Sequence, residues 1–160
     1  MVETIGISAL HHSDTSQADC SYHFTRERLV GSWGIFDVND AADTVSQLGK
    51  RGLIDPKRTV IRGESAGGFT ALATLSTRPE AFAAGTALFG VSDLVTLQRA
   101  MPKFQSHYLK RLIGGGPDEA QYLWKGRSPL TNAANIKVPL LVRSVCYLMS
   151  HIVVLISPLN

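Results

Sequence analysis

The hexapeptide Gly63-Glu64-Ser65-Ala66-Gly67-Gly68 holds a serine at the spacing G-x-S-x-G, the pattern of a nucleophile elbow. The chemistry explains each position. A serine hydroxyl attacks a carbonyl only if it stands clear of the surrounding chain, at the carboxyl end of a strand. A very tight strand-to-helix turn achieves this but forces the serine into a strained backbone conformation. Gly63 and Gly67 leave room where side chains would collide with the turn. A helix starting at once aims its first N–H groups at the serine, so the N–H of Ala66 is placed to bind a developing oxyanion. The motif is short, and its meaning depends on a strand before it and a helix after it.

Both are written into the sequence. Thr59-Val60-Ile61-Arg62 reads as a short strand with Leu53-Ile54 as lead-in, and Ala66 to Ser76 reads as a helix with Leu72 and Leu75 on its inner side. Upstream, Val38, Ala41, Ala42, Val45 and Leu48 share one helical face from Asp37 onward. Asn39 or Asp40 is the expected cap, and Gly49 or Gly52 the expected stop. Asp55-Pro56-Lys57-Arg58 reads as a turn. Downstream, residues 84–90 and 136–142 read as strands, while 103–114 and 118–126 read as helices. Strands alternating with helices give an α/β fold with a mainly parallel sheet, and the all-apolar strand runs predict strands buried on both faces. Residues 10–23 are polar and aperiodic, and are expected to form a loop.

Composition narrows the function classes. The 160 residues suffice for one domain with a real core, 44% are apolar, and the net charge is only +3. The basic residues are scattered, which argues against a nucleic-acid surface. Cys20 and Cys146 form neither a disulfide framework nor a zinc spacing, so no metal and no cofactor are expected. No secretory leader is visible at the N-terminus, which favours a cytoplasmic setting. Arg143 and His151 interrupt the apolar C-terminal run, which therefore reads as buried strand rather than membrane span.

The stretch from Arg26 to Val142 resembles the catalytic domain of the prolyl oligopeptidase family, which includes dipeptidyl and acylaminoacyl peptidases. The resemblance rests on several blocks in order: "GSWGIFDVNDAADTVSQLGKRGLIDPKRTVIRGESAGGFTALATL", "KFQSHYLKRLIG", "YLWKGRSPL" and "VPLLV". It implies an α/β-hydrolase fold and serine peptidase chemistry on short peptides. By the same resemblance Ser65 matches the nucleophile, and Ala66 the residue whose N–H enters the oxyanion hole. In the family a propeller domain usually precedes this domain.

The resemblance also implies a departure. The family's triad runs Ser, Asp, His, with the Asp just beyond the strand that "VPLLV" resembles and the His further on. Here residues 143–160 contain no acid, and the last carboxylate is Glu119. The chain thus divides into a divergent segment 1–25, a partial peptidase domain 26–142 and a divergent apolar tail 143–160. It looks like the middle of a hydrolase domain with foreign ends, inactive as it stands. Two alternatives are a non-catalytic α/β module and an esterase-like hydrolase with a rearranged triad. After Ser65 the residues left for such a triad are His107 and His151, with Glu80, Asp93, Asp118 and Glu119 as acids, and Asp93 stands out because it lies just past the strand that follows the elbow helix. Asp93 is expected to cap the next helical turn, His107 to face solvent, and His151 to be a core histidine. The apolar segment 151–156 is expected to reach a sheet edge after a short helix at 143–150 and to promote self-association.

Overall fold

A computed structural model describes the backbone of residues 3–6, 27–145 and 151–156, and side chains within 27–102 and 107–144. The expected loop at 10–23 lies outside the described residues. Five strands form one sheet in chain order: β1 (Glu3–Gly6), β2 (Thr59–Glu64), β3 (Ala84–Leu88), β4 (Leu140–Val145) and β5 (His151–Ile156). The first four run parallel, and β5 pairs antiparallel with β4. The helices are α1 (Phe36–Lys50), α2 (Ala66–Thr77), α3 (Leu94–Ala100), α4 (Lys103–Ile113) and α5 (Gln121–Arg127). The α/β class with a mainly parallel sheet follows from this order.

Helix α2 is the centre of the molecule. Every residue from Gly67 to Ser76 is buried. One side, Phe69 and Ala73, packs with Trp33, Leu94, Leu109, Ile113 and Trp124. Another, Ala71, Leu72 and Leu75, packs with Ala41, Val45, Ile61, Ala87 and Leu140. An amphipathic pattern suits a helix with one wet face; a helix enclosed on all sides has none to show. Its buried hydroxyls bond to its own carbonyls instead of to water: Thr74 Oγ1 donates to the Thr70 carbonyl at 2.7 Å and Ser76 Oγ to the Ala73 carbonyl at 3.1 Å. Beneath it the buried positions of β3 are the small residues Gly85 and Ala87, so helix and central strand approach closely.

Four expectations need correction. Helix α1 is not capped by Asn39 or Asp40: it starts at Phe36, and Asp37 in its first turn reaches back to accept the Gly34 N–H at 2.7 Å. Leu53 is no strand lead-in but sits in a turn, 63% exposed. Strand β2 is buried on one face only; Thr59, Ile61 and Gly63 lie under α2 while Arg62 and Glu64 are exposed. Finally, residues 143–145 extend β4 rather than starting a helix, and β5 returns beside it as an antiparallel strand with Leu140 opposite Ile156. An antiparallel return needs only a short connection, whereas a parallel crossover needs a dozen residues or more. Five residues separate the two strands.

Candidate active site

Ser65 stands between the last residue of β2 and the first residue of α2, with φ +52° and ψ −115°. A serine at positive φ is held there only when its surroundings over-determine it. Two main-chain bonds do so: the Ser65 N–H donates to the Leu88 carbonyl at 2.9 Å, and the Ser65 carbonyl accepts the Phe69 N–H at 3.0 Å. The first ties the elbow to the end of β3 and the second begins α2. The side chain is exposed, and no hydrogen-bond partner for its hydroxyl is found among the described residues. Ala66 is the first residue of the helix, where an N–H has no intrahelical acceptor.

The glycines around the serine do more than relax the backbone. A Cβ on Gly63 would sit 2.0 Å from the Gly67 carbonyl oxygen and 2.2 Å from its carbon. The main chain of Gly67 therefore folds directly onto the Cα of Gly63, which only a glycine permits. Gly68 faces Gly90 in the same way, its missing Cβ 2.7 Å from the Gly90 Cα. That second contact holds the start of α2 against the loop after β3, and the sequence motif alone does not announce it.

Because Ser65 is strained, relieving the strain is predicted to stabilise the fold. In Ser65→Gly the backbone adopts its conformation freely, at the cost of a more flexible unfolded chain. A net gain of about 1 kcal/mol is expected, a rise in Tm of about 2–4 °C by calorimetry. An unchanged or lower Tm would mean that the serine is not strained.

The other triad candidates have different placements. Asp93 is the N-cap of α3: it accepts from the Val95 N–H at 2.9 Å and from Thr96 Oγ1 at 2.6 Å. The Thr96 hydrogen bond, chiefly, holds its carboxyl below the usual range, as expected for an acid engaged in capping. His107 lies exposed on α4. His151 begins β5, opposite Val145, and its side chain lies outside the described set, as does the expectation of a core histidine. No cluster of three metal-ligating side chains occurs among the described residues, and no helix among them is long and apolar enough to cross a membrane.

Sequence reading passed over a polar network behind the elbow. Asp37 accepts the Gly34 N–H through Oδ1 at 2.7 Å and the Thr70 hydroxyl through Oδ2 at 2.8 Å. Thr70 lies in α2, and its hydroxyl also approaches the Ala66 carbonyl at 3.3 Å. Arg127 closes the arrangement, donating to the carbonyls of Trp33 at 3.1 Å and Gly31 at 3.0 Å. Burial pushes the Asp37 carboxyl up against these hydrogen bonds, and burial lowers Arg127. Asp37 thus joins the loop before α1 to the first turn of the elbow helix. An acid set between the apolar residues Phe36 and Val38, three positions after Gly34, is the signal that could have pointed to it.

A strained serine between a parallel strand and a buried helix defines the α/β-hydrolase class of fold. Comparison with known proteins narrows this further. The sequence profile of the prolyl oligopeptidase family matches residues 19–144, and the chain belongs to that family. It is 34% identical over 116 residues to dipeptidyl aminopeptidase BIII of Pseudoxanthomonas mexicana, covering 70% of this chain and 17% of that one. It resembles the solved structure of a puromycin-hydrolyzing peptidase from Mycobacterium tuberculosis, with TM-score 0.68, 41% identity and coverage of 73% and 18%. Pyrococcus horikoshii acylaminoacyl peptidase superposes with TM-score 0.61 and 27% identity, covering 72% of this chain and 19% of the other. The chain therefore spans about one sixth of the length of the curated relatives it matches.

Proposed function

We propose that Ser65 is the nucleophile of a serine peptidase site that hydrolyses amide bonds of short peptides through an acyl-enzyme. The observation that carries this is the backbone of Ser65, strained at φ +52° with its hydroxyl exposed at the carboxyl end of the sheet. In the forward step Ser65 Oγ bonds to the substrate carbonyl carbon, its proton passes to a base, and the amine leaves with that proton. The Ala66 N–H is the proposed oxyanion donor, and Gly63 and Gly67 shape the turn. Names such as dipeptidyl aminopeptidase and acylaminoacyl peptidase support an aminoacyl or short-peptide amide as substrate.

Base and acid act with the serine as a unit. In the 160 residues by themselves no carboxylate follows Glu119, and Asp93 is engaged as a cap. We infer that this chain alone does not turn over peptides at a rate typical of the family. A fluorophosphonate probe separates the two halves of the proposal. Slow labelling that disappears in Ser65→Ala, driven by the oxyanion donor and the exposed hydroxyl without a base, and no turnover of a chromogenic dipeptide are the expected result. Robust turnover lost in Ser65→Ala would overturn the inactivity, and a folded chain that never labels would overturn the nucleophile.

Self-association through β5 is proposed on its position. The strand is the outermost of the described strands on its side of the sheet, and its sequence, "HIVVLI", joins high β-propensity to an absence of formal charge with histidine neutral. Light scattering at micromolar concentration is expected to show species larger than a monomer, with Val154→Lys shifting them toward monomer. A monodisperse wild-type monomer would refute this.

A further inference from the structure

Ser65 and Phe89 are the two residues other than glycine that hold a positive φ among the described residues. Phe89, at φ +51°, immediately follows β3. Its neighbour Leu88 supplies the carbonyl that binds the Ser65 N–H, and its own N–H donates to the Arg143 carbonyl at 2.7 Å. A bulky residue in this region is strained, and such strain clusters at sites that bind or react. The two strained residues thus stand on adjacent strand ends, joined through Leu88.

Arg143 completes the arrangement. Its guanidinium carbon lies 5.8 Å from the centroid of the Phe89 ring. The residue is exposed, and no carboxylate partner is found for it among the described residues. Glu64, Leu88 and Arg143 form one register row across β2, β3 and β4, so Glu64 lies two strands away and makes no ion pair with it. An aromatic face behind a guanidinium supports the cation while leaving its N–H edges open, which suits two parallel hydrogen bonds to a carboxylate.

We infer that Phe89 and Arg143 form a carboxylate-binding subsite beside Ser65, one that takes the free acid of a short peptide. Two strand spacings of about 4.8 Å separate Arg143 from the elbow strand. An extended peptide advances about 3.3–3.6 Å per residue, so the bound carboxylate lies about two to three residues from the carbonyl at Ser65. A C-terminal carboxylate of a very short peptide, or an acidic side chain at that distance, fits the same geometry. The inference rests on Ser65 being the reacting centre.

The test is equilibrium binding of fluorescein-labelled Ala-Ala-Ala, as free acid and as C-terminal amide, to the full chain carrying Ser65→Ala. The free acid is expected to bind about 10-fold more tightly, as for one charge-assisted pair. Adding Arg143→Gln should reduce this preference to less than twofold, while Arg143→Lys keeps part of it. Equal affinity for acid and amide, or a preference that survives Arg143→Gln in a protein with unchanged circular dichroism, would overturn the subsite. Fluorophosphonate labelling of wild type and of Arg143→Gln alone runs beside it. Labelling of both without an acid preference removes the subsite and leaves the nucleophile standing. A preference lost in Arg143→Gln without labelling of wild type keeps the anion site and removes its link to Ser65.

Discussion

Gly63→Ala is expected to abolish the elbow and to cost more stability than a methyl added at any other of the described glycines. The new Cβ would lie 2.0 Å from the Gly67 oxygen, 2.2 Å from its carbon and 2.8 Å from the Gly68 nitrogen. All three atoms are main chain, so no rotamer change relieves the contact. Strand β2 and helix α2 would have to separate, and α2 is buried along nearly its whole length. The loss is expected to exceed about 4 kcal/mol, beyond ordinary overpacking. That corresponds to a fall in Tm of more than about 8 °C, with fluorophosphonate labelling lost. Gly85→Ala provides the comparison. Its Cβ would meet Leu75 Cδ1 at 2.3 Å, the end of a side chain that can turn, so about 1–3 kcal/mol is expected there. A Gly63→Ala protein that melts no lower than Gly85→Ala would refute the close approach of Gly63 and Gly67.

Asp37→Ala is expected to cost about 3 kcal/mol, and Asp37→Asn about 1 kcal/mol. Alanine leaves the Gly34 N–H and the Thr70 hydroxyl without the acceptors that now lie at 2.7 and 2.8 Å. Asparagine keeps the first through its carbonyl. Its amide can donate to Thr70 Oγ1 if that hydroxyl turns to the Ala66 carbonyl, already 3.3 Å away. The same geometry suits a protonated Asp37, so pH enters. Burial raises the Asp37 carboxyl above its ordinary value of 3.8. The folded state therefore holds this proton at a pH where the unfolded chain has released it, and stability from this group rises as pH falls through that window. The Tm difference between wild type and Asp37→Asn should thus move in favour of wild type from pH 7 down to pH 4. Movement in the opposite direction would mean that Arg127 and the hydrogen bonds favour the anion more than burial disfavours it.

These two residues differ in how legible they are. Gly63 belongs to a contiguous six-residue motif with a β-branched strand before it and a helix after it, and local sequence is enough to read such a turn. The observed bounds, β2 to Glu64 and α2 from Ala66, agree with that reading. Asp37 depends on Thr70, 33 positions away, and on the approach of Arg127, 90 positions away. No local pattern carries such a pairing. Leu53 and β4 show the same limit at smaller scale. Apolar character placed one in a strand and ended the other early, yet Leu53 is exposed in a turn and β4 continues through Arg143 and Ser144. Backbone pairing with β3 and β5, rather than hydrophobicity, sets where β4 stops.

The sequence by itself determined the α/β alternation, the elbow around Ser65, the capping role of Asp93 and the family, because each rests on periodicity, turn chemistry or ordered motifs that neighbouring residues encode. Tertiary structure alone decided that β5 returns antiparallel beside β4, that Gly68 meets Gly90, that Asp37 bonds to the elbow helix and that Phe89 is strained beneath Arg143. The physical reason is common to these four: each depends on how whole elements pair or pack against one another, and its energy appears only when the strands and helices are brought together.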